Sequence, residues 1–210
     1  MVYWELNKTY ILFTCIFISQ NDESSKLRQE ITKFYQWFVG FSDAEGNFLI
    51  SLDRNYVRFR FKISVHIDDI EVLNLIKTKL GVGIVIKENK NYCSFVVQDF
   101  YDIRDTICTI FLTYKLQTNK KLDFEDFYSA VVIKGDKGKQ LTDIEREKIL
   151  LIKDNMNFNR TIFIPNQSIS INPNWLIGFL EGDGTLGIKN GSPDIFLQKI
   201  LHKKILMKLF

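Results

Sequence analysis

A chain of 210 residues, 46% hydrophobic and 25% charged, can bury a real core and form one or two small compact units. Its net charge of +3 is too mild to identify a polyanionic partner, so the distribution of charge has to decide that question. Three cysteines, Cys15, Cys93 and Cys108, lack metal-ligand spacing, and the two histidines, His66 and His202, lie far apart, which sets aside a zinc site and a Ser/His/Asp triad.

An apolar run at residues 10–18 is much shorter than the roughly 20 residues that span a bilayer, and no small-residue cleavage site follows it. Residues 1–33 therefore read as a leader or linker, with no membrane partner. Thiols in apolar stretches suit a reducing compartment. Ile, Lys, Phe and Asn are abundant while Ala44 and Ala130 are the only alanines, a bias toward AT-rich codons that suggests an organelle genome and a mitochondrial location.

The first strong helical signal covers residues 37–46, with apolar residues at spacings of three and four. Gly46 is expected to close that helix in the left-handed conformation. Gly40 and Ala44, four apart, leave one helix face almost without side chains, along which another backbone can approach.

Beyond Gly46, Phe48, Ile50 and Leu52 alternate as in a half-buried strand, which turns Asn47 and Ser51 to the other face. Residues 56–66 alternate more clearly. Val57, Phe59, Phe61, Ile63 and Val65 suit a core, whereas Arg58, Arg60, Lys62, Ser64 and His66 form a polar face that no acid within the strand interrupts. A helix at 69–80 stops at Gly81, and strands follow near 82–87 and 92–98. In this second hairpin Lys87, Tyr92, Ser94 and Gln98 are assigned to the polar side, and Ile84, Ile86, Cys93, Phe95 and Val97 to the core. Four strands would then present one basic-leaning saddle, a surface suited to the phosphates and base edges of duplex DNA. Helical spacing at 103–112, 124–133 and 144–152 supplies cover for the back of the sheet.

Residues 175–184 repeat 37–46: Trp, Gly, Phe and Gly recur in place, five further positions are similar in kind, and only Ser42 against Leu180 differs in chemistry. Gly178 and Gly182 supply the second small-residue stripe. If the two stripes meet, Glu45 and Asp183 arrive side by side at one end of the helix pair. Two carboxylates at helix C-termini repel each other and the helix dipoles, and a divalent cation relieves that cost. Mg²⁺, held by one or two carboxylates with waters and phosphate oxygens, points to phosphodiester chemistry. From residue 194 onward the Leu/Ile/Lys-rich tail reads as a helix where the repeat calls for strands, so the second lobe is expected to be truncated near Ser192 and Pro193.

The acid-glycine endings at 38–46 and 176–184 resemble the signature helix of the LAGLIDADG homing endonuclease family, in its two-motif, organelle intron-encoded type. The resemblance implies an α+β fold. It would comprise an αββαββα lobe with a four-stranded antiparallel DNA-binding saddle over 34–155, an inter-lobe linker over 156–172, and the start of a second pseudosymmetric lobe over 173–210. It implies Glu45 and Asp183 as catalytic metal ligands, Mg²⁺ or another divalent cation as cofactor, and a lobe interface at Gly40, Ala44, Gly178 and Gly182. The segment 114–124 is similar to the family stretch that carries an active-site lysine, which implies Lys120. The implied function is site-specific cleavage of double-stranded DNA, impaired by truncation. The alternative is an intron RNA maturase or a non-cleaving nucleic-acid-binding remnant. A complete relative is expected to act as a monomer.

Overall fold

The computed structural model describes residues 2–53, 56–161, 171–189 and 192–197, with side chains described over 23–53, 56–161 and 171–184. The chain divides into two compact units, Met1–Tyr35 and Gln36–Phe210. The first is helical, and its residues 23–30 are exposed. Among the described residues no helix is long and apolar enough to cross a membrane.

Helix α1 (Val2–Glu45) passes directly into β1 (Gly46–Asp53), followed by β2 (Tyr56–His66), α2 (Ile70–Leu80), β3 (Ile84–Lys87) and β4 (Tyr92–Val97). These strands form one antiparallel sheet in the order β1-β2-β4-β3. Two hairpins joined by α2 thus bring β2 and β4 together at the centre. Helix α2 ends where Gly81 takes φ 72°, the left-handed conformation that a side chain would resist. A π-helical turn at Asp102–Cys108 then runs into α3 (Thr109–Thr113), and α4 (Lys120–Lys134) and α5 (Asp143–Asp154) complete the cover over β1.

The core is centred on phenylalanines among the inward positions of β1 and β2, Phe48, Phe59 and Phe61, with Ile50 and Ile63 beside them. Phe48 has ring-centroid separations of 5.3 Å from Phe61, Phe111 and Phe127 and 5.5 Å from Phe124, so one side chain joins two strands to two helices. Tilted and edge-on aromatic contacts of this kind add about 0.5–1.5 kcal/mol per pair to the burial of apolar area. Beyond α5, Asn157 donates its backbone N–H to Asp123 and its side-chain amide to Phe48 O, and Arg160 pairs with Asp123 at 2.8 Å and Asp126 at 2.5 Å. The start of the linker is thereby anchored to α4 and β1.

Helix α6 (Pro173–Asp183) is opened by Asn172, whose side chain accepts from the N–H groups of Asn174 and Trp175, with Pro173 in the first turn. It continues into β5 (Gly184–Lys189), which pairs antiparallel with β6 (Ser192–Leu197).

Four expectations are corrected. Residues 194–197 belong to strand β6 rather than a helix, because backbone pairing with β5 outweighs a short helical periodicity; residues 198–210 lie outside the described residues. In β3 the phase is shifted by one residue. Val85 and Lys87 pair with core-facing Phe95 and Cys93, while Ile84 and Ile86 pair with Val96 and Ser94 and are exposed. A four-residue strand carries too little pattern to settle its own face, and register with β4 decides it. Ser94 is buried and hydrogen-bonded to Ser64 at 2.8 Å, so its hydroxyl is not displayed as expected. Finally, neither Gly46 nor Gly184 has positive φ. Glycine is needed there for space: a Cβ at Gly46 would lie 2.6 Å from Ser42 O, and one at Gly184 would lie 2.4 Å from Leu180 O.

Candidate active site

The two repeated segments pack against each other with backbones in contact. A Cβ on Gly40 would stand 1.9 Å from Trp175 O, and one on Gly178 would stand 2.0 Å from Trp37 O. Each glycine therefore receives the backbone of the opposite tryptophan, the first residue of the opposite motif. The side chains cross as well: Trp37 Nε1 donates to Glu181 Oε2 at 2.7 Å, and Trp175 Nε1 donates to Asp43 Oδ2 at 2.9 Å. Both pairs join equivalent repeat positions in opposite directions, so the seam has local two-fold pseudosymmetry. Asn174 adds a 2.7 Å hydrogen bond to Gln36.

At the C-terminal end of this seam, a Cβ on Gly182 would lie 2.5 Å from Ala44 Cβ and 3.3 Å from Glu45 Cγ. The last turns of α1 and α6 thus meet. Asp183 is buried and Glu45 half-buried, with both carboxylates on helix ends whose dipoles disfavour negative charge. Lys120 reaches the same place. Its ammonium donates to Ser42 O at 3.1 Å and Ala44 O at 3.0 Å, the last-turn carbonyls that a helix leaves open. Lys121 instead turns toward Glu125, at 3.8 Å.

The donors at these helix ends are oxygens. Asn47 Oδ1, two residues beyond Glu45, is buried without a hydrogen-bond partner, an open acceptor of the type that hydrated cations or base amino groups satisfy. Among the described residues no group of three or more His, Cys, Asp or Glu could hold a metal ion. Oxygen donors of this kind, few in number, are the chemistry that hard cations use when water and phosphate oxygens complete their shell.

Asp43 is the residue the sequence reading missed. It is buried, and Oδ2 accepts from Gln117 N at 2.7 Å and Trp175 Nε1 at 2.9 Å, while Oδ1 accepts from Thr118 Oγ1 at 2.6 Å and Thr118 N at 3.3 Å. Burial pushes its carboxyl above the usual range, against these donors and the Lys120 ammonium, which pull it down. A signal was available. The repeat keeps a tryptophan and an acid six residues apart in both copies, a spacing that places them on different faces of one helix, so their partners must lie across the seam.

The sheet face assigned to DNA is largely assembled. Opposite one another stand Asn47 and Lys62, Ser51 and Arg58, Ser64 and Ser94, and His66 and Tyr92. Arg58, Arg60, Ser51, His66 and Tyr92 are exposed, and Gln98 is exposed just beyond β4. Two acids from neighbouring segments temper the basic face. Glu88 lies 2.5 Å from Lys62, whose hydrogen bond holds the Glu88 carboxyl below its usual range, and Asp53 lies 3.9 Å from Arg58. Lys87, though exposed, leaves the register of this face, and the apolar Ile84 and Ile86 join it.

Residues 38–131 match the model of the LAGLIDADG endonuclease family. The chain is 29% identical over 171 residues to the uncharacterized mitochondrial protein RF1 of Saccharomyces cerevisiae, covering 79% of this chain and 34% of that protein. It is 28% identical over 169 residues to the probable intron-encoded endonuclease Cox1-I1b of Schizosaccharomyces pombe, covering 76% and 43% respectively. The chain thus spans under half the length of these curated relatives. Among solved structures, I-SmaMI bound to uncleaved DNA target in the presence of calcium ions superposes with a TM-score of 0.63 and 27% identity, covering 73% of this chain and 59% of that one. I-CpaMI bound to uncleaved DNA superposes with a TM-score of 0.64 and 25% identity, covering 77% and 64%.

Proposed function

Because residues 38–131 match the LAGLIDADG endonuclease model, we propose that the chain is a member of that family, binds double-stranded DNA on its four-stranded sheet and cleaves phosphodiester bonds at the joined ends of α1 and α6. The observation that carries this reading is the reciprocal seam, in which Gly40 and Gly178 each receive the opposite backbone and draw the Glu45 and Asp183 ends together.

In this reading Glu45 and Asp183 hold a divalent cation, with Mg²⁺ the best chemical match to sparse oxygen donors. When bound, such a cation supplies Lewis-acid charge to the phosphate oxygens undergoing displacement. Lys120, fixed on the carbonyls of Ser42 and Ala44, holds a positive charge beside the same helix end and steadies charge developing on the phosphate. Arg58 and Arg60 contact the DNA backbone or guanine edges, and Asn47, nearest the helix ends, contacts a base or a hydrated ion. The mitochondrial and intron-encoded names of the relatives support a mitochondrial, intron-encoded origin, with the empty insertion site of the host gene as substrate.

The test is incubation of the full chain with a supercoiled plasmid carrying that insertion site, with and without Mg²⁺. Nicked or linear product is expected only with the cation, and Glu45→Gln or Asp183→Asn should slow its formation by about 100-fold or more. Cleavage by Glu45→Gln at the parent rate would remove the assignment. Tight retention of intron RNA with no nicking of DNA would favour the maturase reading instead.

A further inference from the structure

We propose that Asp43 is a positioning residue that couples docking of the second motif helix to the placement of Lys120. Its two carboxylate oxygens serve two structures far apart in sequence. Oδ2 accepts from Trp175 Nε1 on α6 and from Gln117 N, and Oδ1 accepts from Thr118 Oγ1 and Thr118 N. Thr118 Oγ1 in turn accepts from Lys120 N at 3.2 Å, and the Lys120 ammonium returns to the carbonyls of Ser42 and Ala44 on either side of Asp43. A ring of hydrogen bonds thus closes through Asp43, Thr118 and Lys120, and Trp175 is tied to the same carboxylate from outside the ring.

Burial makes this arrangement consequential. A carboxylate removed from water must keep its donors, because each one lost leaves part of the charge uncompensated. Trp175 is itself buried, so water does not readily replace its indole N–H at Asp43. Withdrawing that donor shifts the carboxylate, and the Gln117–Thr118 backbone it holds shifts with it. The reciprocal pair differs: Glu181, which accepts from Trp37, is exposed, and water can substitute there. Equivalent repeat positions therefore have unequal consequences: the Asp43 side holds the lysine segment through Gln117 and Thr118, whereas the Glu181 side is open to water.

The catalytic meaning of this coupling rests on the nuclease reading, but the coupling itself is measured without DNA. Lysines of the full folded chain are labelled with an acetylating reagent and the rate at each is read by mass spectrometry. In the parent, Lys120 should label slowly relative to Lys121. Asp43→Asn, which sets an amide N–H₂ against N–H donors, should raise Lys120 labelling about two- to ten-fold, the size that loss of one net hydrogen bond allows, with Lys121 unchanged. Trp175→Phe, which keeps an aromatic ring and deletes the donor, should raise Lys120 labelling in the same sense, whereas Trp37→Phe should not. Parent-level Lys120 labelling in Trp175→Phe, or an equal rise in Trp37→Phe, overturns the proposal. If Asp43→Asn unfolds, seen as a lost thermal transition and faster labelling at Lys121 too, Trp175→Phe decides alone. Failure to cleave plasmid DNA leaves this result intact and counts only against the nuclease reading.

Discussion

Lys120 and Lys121 adjoin in sequence and are alike in chemistry, yet the fold gives them different partners. Lys120 satisfies two open carbonyls at the end of α1, whereas Lys121 makes an i,i+4 contact with Glu125 at 3.8 Å on a helix surface. Exposed pairs of the second type contribute about 0.3–0.5 kcal/mol. On the proposed nuclease reading, Lys120→Met should lower plasmid cleavage by about 100- to 1,000-fold, the range for losing one preorganised donor, with Lys121→Met close to the parent in the same assay. Glu145 shows a separate residue-scale effect. It completes the capping box of α5 with Thr142 and pairs with Lys139 at 2.6 Å, and the Lys139 hydrogen bond, with help from Thr142, holds its carboxyl at about 2. A carboxyl depressed in the folded state adds stability above the unfolded pKa near 4.5, and that contribution is lost as pH falls toward about 2. Melting temperatures followed across this window should fall more steeply for the parent than for Glu145→Gln.

At the scale of elements, the seam between α1 and α6 leaves no room for a side chain at its glycines. Gly40→Ala or Gly178→Ala would place a methyl about 2 Å from a carbonyl oxygen and force the helices apart. Urea denaturation should show a loss of about 3 kcal/mol or more for either, the upper end of overpacking costs. Gly138→Ala, where the nearest heavy atom is 3.7 Å from the added Cβ, should change stability by less than about 0.5 kcal/mol. The sheet core has a similar keystone in Phe48, and Phe48→Ala should cost about 3–5 kcal/mol in the same measurement.

For the whole molecule, the proposed DNA binding depends on charge placement more than on net charge. Arg60 is exposed on the open face of β2, whereas Lys62 is engaged with Glu88 at 2.5 Å. In anisotropy titrations of an insertion-site duplex over a salt series, Arg60→Ala should reduce the slope of log affinity against log salt by about 0.9, one released counterion. Lys62→Ala should reduce it by less, since Glu88 already neutralises much of that charge. Equal slopes for the two variants would mean that DNA displaces Glu88 from Lys62.

Much of the lobe was legible in sequence because its signals are local. Alternation along β2 and helical spacing in α2, α4 and α5 repeat within a few residues, the doubled motif needs only two ten-residue segments to be compared, and burial then follows the pattern. The 38–46 and 176–184 segments likewise carried the small-residue stripes that pack together at Gly40, Ala44, Gly178 and Gly182. What sequence could not decide was which groups meet across long separations. The side of the sheet that β3 shows depends on its register with β4, the pairing of β6 with β5 overrides a helical tail, and Glu88 comes to Lys62 only through the second hairpin. Asp43 is the clearest case: four donors from Gln117, Thr118 and Trp175 converge on it from 74 to 132 residues away, and local periodicity carries no record of them. The amino-acid pattern determined which faces are buried, whereas the folded chain decided which buried polar group answers which, because a hydrogen bond depends on position in space and direction rather than on spacing along the backbone.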